Sequence, residues 1–135
     1  VIVGIGSDIA RIARFDAAIQ RHGERFARRL LGADEQALLQ RHAHPAAFIA
    51  KRFAGKEAFV KALGTGFREG IEWRDVQVLN DALGKPALRL GGQADARARA
   101  LGVAHAHVSL SDEADYALAF VILERQAAER SAPTL

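Results

Sequence analysis

The longest helix candidate in the chain runs from Ala46 to Leu63, and whatever else forms must be laid along it. Pro45 ends any helix before it, Ile49, Phe53, Val60 and Leu63 recur at helical spacing, and Gly64-Thr65-Gly66 stops it. Such a helix is about 27 Å long, close to the width of a small domain. It carries Glu57 and Lys61 four apart, so a carboxylate and an ammonium share one face. The glycines beyond it let backbone approach a phosphate closely. A metal-bound pyrophosphate would use all three parts. An exposed i,i+4 ion pair of about 0.3–0.5 kcal/mol is the commoner account of the same spacing.

The first half of the chain is helical in pattern and the second half alternates. Val1 to Ile5 reads as a short buried strand ended by Gly6, with Ser7 or Asp8 free to cap the next helix. Ile12, Phe15 and Ile19 predict a helix up to Gly23, then a short one to Leu31 and another from Ala33 to His42. Val76–Leu79 and Ala87–Leu90 flank a turn-rich loop and predict a hairpin. Gln93 to Leu101 reads as a helix, and His105–Ser111 and Tyr116–Glu124 as two strands. The tail from Gln126 is polar and is expected to fray. Helices gathered in the first half over a largely antiparallel sheet give an α+β fold. The 135 residues are expected to form a single domain, 1–135.

Composition excludes some classes. No apolar run of about 18 residues exists, so no membrane span is expected. Val-Ile-Val-Gly-Ile-Gly does not read as a signal peptide, and the lack of cysteine removes disulfides and thiolate metal sites, which suits the cytoplasm. The net charge of +3 is small, but residues 1–30 carry Arg11, Arg14, Arg21, Arg25, Arg28 and Arg29 against three acids. That distribution suits an anionic partner or a plain solvated helix face. No RNA-binding motif accompanies it, so no nucleic-acid partner is expected.

Two further places hold candidate chemistry. Asp8 comes just after a strand, where active-site groups often stand, although an N-cap for the helix of Ile12 and Phe15 is the simpler account. If Asp8 and Glu57 meet, they make a two-carboxylate oxygen site of the kind Mg²⁺ takes, with water and phosphate completing its shell. On a strand, His105, His107, Ser109 and Ser111 share one face, and Ala104, Ala106, Val108 and Leu110 the other. The polar face is either solvated or one wall of a ligand pocket.

Three segments taken together, Gly4-Ile5-Gly6-Ser7-Asp8-Ile9, Arg52 to Gly66, and His107-Val108-Ser109-Leu110-Ser111-Asp112, resemble the motifs of the holo-acyl-carrier-protein synthases. These are small bacterial-type phosphopantetheinyl transferases. The resemblance spans residues 1–124 and includes the Gly84-Lys85-Pro86 turn. It implies transfer of 4′-phosphopantetheine from coenzyme A to a serine of apo-acyl carrier protein, releasing adenosine 3′,5′-bisphosphate, in the service of fatty acid biosynthesis. It implies Asp8 and Glu57 as Mg²⁺ ligands and Lys61 as a phosphate-neutralising catalytic group. Arg52, Lys61, Gly64, Thr65, Gly66, His107 and Ser109 become contacts for coenzyme A. Arg14, Arg21, Arg25 and Arg28 become the docking face for the acidic carrier protein. A homotrimer with active sites between subunits is implied as well.

One motif departs from the family pattern. Asp112-Glu113 stands where some members carry a histidine after the last serine, so no base role is carried over there. Two readings outside the resemblance stand beside it: a basic non-catalytic module for RNA or an acidic protein, and another Mg²⁺-dependent pyrophosphate-cleaving enzyme.

Overall fold

The computed structural model describes residues 1–127. In chain order the elements are β1 (Ile2–Arg11), α1 (Ile12–His22), α2 (Glu24–Leu30), α3 (Ala33–Leu39), α4 (Pro45–Leu63), a 3₁₀ turn (Trp73–Asp75), β2 (Val76–Asn80), β3 (Pro86–Leu90), α5 (Gly92–Ala100), β4 (Val103–Glu113) and β5 (Tyr116–Arg125). The fold is α+β. β1, β5 and β4 form an antiparallel sheet in that order, and β2 and β3 a separate hairpin. The expected frayed tail from Gln126 lies almost wholly outside the described residues. No helix among those described is long and apolar enough to cross a membrane.

The axis of the molecule is α4. Phe48, Ile49, Phe59 and Val60 are essentially fully buried, and so are Ala54 and Ala58. The helix is covered nearly all round, with the three-stranded sheet on one side and α1, α3 and β2 on the others. Its small residues let β1 come close. A Cβ at Gly4 would overlap the carbonyl oxygen of Ala62, and one at Gly6 that of Ala58. Neither glycine has positive φ, so each is required for close approach rather than for a turn.

This contact corrects the reading of the N-terminus. Gly6 does not end the strand, because β1 continues to Arg11, pairing Ser7 with Phe120, Asp8 with Ala119 and Arg11 with Tyr116 of β5. Asp8 is therefore a strand residue and not a helix cap; Arg11 occupies the N-cap of α1 with no side-chain cap. Pairing with β5 overrode the local turn signal. Nor is the first strand buried on both faces, since Ile2 and Ile5 are 62% and 65% exposed. The third helix stops at Leu39, short of His42, and the hairpin pairs Val76 with Leu90 through Asn80 with Pro86.

Inside the fold lies an ion pair that the periodicity did not reveal. Glu35 of α3 and Lys56 of α4 are fully buried, with Nζ 2.6 Å from Oε1. Lys56 Nζ also donates to the carbonyl of Trp73 at 2.9 Å and to that of Val76. Glu35 accepts the amides of Gly32 and Val78, each at 3.0 Å. Every charge is matched, which is the condition for keeping ions in a low-dielectric interior. Burial pushes the Lys56 ammonium below its ordinary pKa, and Glu35 opposes that shift. Arg52, also buried, donates from Nε to the carbonyl of Val78 at 3.2 Å and from Nη2 to Asn80 at 2.8 Å. Two cations of α4 thus hold the β2–β3 hairpin.

Lys56→Met leaves the Glu35 carboxylate buried without its counterion and should cost about 3–5 kcal/mol in urea unfolding. The double variant Lys56→Met with Glu35→Leu should recover much of that loss. A single-variant loss below about 1 kcal/mol would show that the pair does not hold the hairpin.

Candidate active site

Residues four apart on α4 build the site. Phe53, Glu57 and Lys61 succeed one another along a single stripe. Across from the stripe, Asp8 of β1 pairs with fully buried Ala119, which places its carboxylate on the helix side of the sheet. Lys61 Nζ donates to Asp8 Oδ1 at 3.0 Å and to the carbonyl of Ser7 at 3.1 Å. Asp8 Oδ2 is buried with no hydrogen-bond partner among the described residues.

Asp8 and Glu57 are electrostatic neighbours, each beside Lys61. Partial burial raises the Glu57 pKa, the Asp8 charge raises it further, and Lys61 and Arg14 oppose both. A divalent cation would relieve the repulsion and satisfy the orphaned Asp8 oxygen. The donor set, hard oxygens only, fits Mg²⁺. Among the described residues no group of three or more His, Asp or Glu converges as a ready metal cage. A cation here would rely on these two side chains and on ligands from outside the chain.

Past Lys61 the helix ends in a left-handed Gly64, with φ of 83°. The amides of Gly64, Thr65 and Gly66 all reach the carbonyl of Val60, at 3.1, 3.2 and 3.2 Å. Gly66 also has positive φ, and a Cβ on either glycine would meet nothing within 4 Å. These glycines serve backbone conformation and leave open space beside Lys61.

Other predicted residues stand apart from the carboxylates. His107 and Ser109 of β4 pair through Ile122 and Phe120 of β5 with Ile5 and Ser7, on the sheet face away from α4. Within one chain they cannot join Asp8. His107 Nε2 is 2.6 Å from Glu124 Oε1, a contact that lowers the Glu124 pKa. Arg52 lies about 140° around the helix from Glu57, and its Nε and Nη2 are committed to β2. Asp112 pairs with Lys51 at 3.2 Å. It is two strands across from Asp8, about 10 Å by strand spacing alone.

The basic face is ordered by helix geometry. Arg14 and Arg21 line one shallow groove on α1, and Arg25 and Arg29 line the adjoining hollow with His22 and Phe26. Arg28 lines a different hollow, with Gln36 of α3 and Gln40 just beyond it. Arg29 shares the hollow of Arg25 because it stands four residues after it on α2. One helical turn before Glu57, at Phe53, a cleft of about 190 Å³ is lined by Phe15, Phe26, Phe53 and Trp73 together with Arg14 and Arg29. A larger hollow of about 620 Å³ lies between α1, residues 43–47 and the β4–β5 turn. Its rim of Asp16, Asp112 and Asp115 is poorly suited to an anionic substrate.

Residues 4–121 match the family model of the 4′-phosphopantetheinyl transferase superfamily. The chain belongs to that superfamily, among its holo-acyl-carrier-protein synthases. A synthase of this name from Salmonella arizonae is 54% identical over 125 residues, 93% of this chain and 95% of the relative. The crystal structure of the synthase from Neisseria meningitidis superposes with a TM-score of 0.87 at 38% identity, covering 93% of this chain and all of that one. The Bacillus anthracis synthase, solved in complex with CoA (3′,5′-ADP), gives 0.77 at 32% identity, covering 93% and 98%. The phosphopantetheinyl transferase fold expected from the motifs is thus the fold observed.

The neighbouring carboxylates make a stability prediction. Glu57→Gln removes the charge that Asp8 repels while keeping the side chain's size. Since the folded state raises the Glu57 pKa, it disfavours the ionised form, and neutralising it should leave thermal stability equal or higher. A loss above about 1 kcal/mol would show that the Glu57 charge stabilises the fold.

Proposed function

We propose that this chain, acting as one transferase domain, moves 4′-phosphopantetheine from coenzyme A to a serine of an apo-acyl carrier protein in a Mg²⁺-dependent reaction. Adenosine 3′,5′-bisphosphate leaves. The observation that carries the reading is the Asp8–Glu57 pair, with its orphaned oxygen, set beside Lys61 and an open glycine turn. Family membership and the coenzyme A complex of the Bacillus anthracis relative support the substrate.

In this reading the serine Oγ forms a bond to the β-phosphorus, and the bond from that phosphorus to the bridging oxygen breaks. The electron pair leaves on the bisphosphate. Mg²⁺ on Asp8 and Glu57 would supply charge neutralisation for the pyrophosphate. Lys61 would neutralise the departing phosphate, and Gly64, Thr65 and Gly66 would border the nucleotide. Glu57, directly or through a water that it orients, would take the serine proton. In-line transfer of this kind depends on positioning and electrostatics more than on covalent help.

The carrier protein would dock on Arg14, Arg21 and Arg25, joined by Arg29, with Arg28 at the periphery. Complementary charge of this sort chiefly speeds association and selects the partner. The assembly would be a homotrimer. Its support is an apolar sheet face of Ile5, Ile9, Leu118 and Phe120, exposed by 65, 63, 36 and 48%. His107 and Ser109 stand on that same face, so a second copy would bring them to a neighbour's carboxylates, whereas Arg52, buried and bonded to the hairpin, stays outside that contact. The setting is cytoplasmic fatty acid biosynthesis.

Incubating apo-carrier protein with coenzyme A and Mg²⁺ should add one phosphopantetheine by intact mass, and chelation should stop it. Asp8→Ala and Glu57→Ala should each slow transfer at least about 10²-fold while melting like the parent. Near-native rates in both variants would sink the metal-site assignment. Light scattering should give three times the 14.6 kDa chain mass, falling on Phe120→Asp. A monomeric parent would remove the shared-site reading.

A further inference from the structure

The stripe of α4 that carries Glu57 begins at Phe53, and Phe53 lies in an aromatic stack that the transfer chemistry leaves unexplained. The Arg14 guanidinium carbon stands 5.1 Å from the centroid of Phe53 and 5.5 Å from that of Phe15. Both distances are within cation–π range. Phe53 is stacked in turn on Trp73, centroids 5.1 Å apart and planes 17° apart. Trp73 cannot shift freely. It is also stacked on Phe67 at 3.7 Å and 24°, and its carbonyl accepts from the buried Lys56 ammonium at 2.9 Å.

An exposed arginine samples many rotamers, and fixing it on a partner loses that freedom. An arginine already resting on a fixed ring loses less. We propose that Trp73 is a positioning residue for carrier-protein recognition: held by Phe67 and by Lys56, it fixes Phe53 as the platform that keeps the Arg14 guanidinium in its docking pose. This rests on the proposed transferase function, in which Arg14 meets the acidic carrier. Trp73 touches no reacting atom, so its effect belongs to carrier binding. The bond-making step and coenzyme A binding should be spared.

The test is steady-state transfer with carrier protein and coenzyme A varied separately, on the full chain. Trp73→Leu should raise the KM for carrier about three- to tenfold, the range for losing one aromatic contact and part of a cation–π contact. Its kcat and coenzyme A KM should stay within about twofold, a split that general loosening of the fold would not give. Trp73→Phe should restore most of the carrier KM. In the Arg14→Ala background, Trp73→Leu should add little, because its effect runs through Arg14. Should Trp73→Leu fail to fold, Phe53→Leu replaces it in the same cycle. An unchanged carrier KM in the folded variant, or fully multiplicative effects with Arg14→Ala, overturns the proposal. If the parent itself transfers nothing, the proposed function has failed instead.

Discussion

A lysine ammonium buried beside its glutamate is the constraint on which the rest of the molecule depends. Lys56 cannot keep its charge in the interior unless α3, the Trp73 turn and β2 all present oxygen to it. α3 is far in sequence from the other two, which adjoin each other. The ion pair gathers them, and the amides of Gly32 and Val78 close the remaining valences of Glu35. The hairpin, which Arg52 also holds, and the turn that carries Trp73 are both tied to this desolvated charge.

The same helix carries opposite electrostatic regimes one residue apart. Lys56 is fully satisfied and silent, whereas burial and the Asp8 charge raise the pKa of Glu57 against the opposing pull of Lys61 and Arg14. A helix turns by about 100° per residue, so neighbours along the chain can serve interior and cleft without sharing partners. Strain in charge is concentrated where a cation and a phosphorylated substrate would discharge it, and the interior next to it has none to spare. That division separates stability from chemistry on one element.

Much of this is legible in the residues alone. The helix from Ala46 to Leu63, the hairpin around Gly84 and the two faces of the strand through His107 come from period and turn chemistry, which are local. The site motif is legible because Glu57 and Lys61 are four apart on a helix. The hidden features depend on partners distant in sequence. Asp8 resembles a helix cap because nothing local shows that β5 extends the first strand to Arg11. Glu35 resembles an exposed helical acid, although a glutamate three residues after Gly32 is a signal of backbone capping. Arg52 resembles a ligand contact because its motif says nothing of the hairpin that occupies it. Periodicity reports which face is apolar, and it does not report which charge is buried.

The close approach of Gly4 and Gly6 to α4 fixes more than packing. Asp8 rides on the strand and Glu57 on the helix, so the gap between the carboxylates is gauged by backbone resting on backbone. Side-chain volume has a smaller part in setting it. Most sites drift as core residues exchange methyl groups over generations, because their spacing is borrowed from packing. This one is better insulated from such drift. Its spacing changes chiefly by moving a whole strand, an alteration that point substitutions in the surrounding core cannot make gradually.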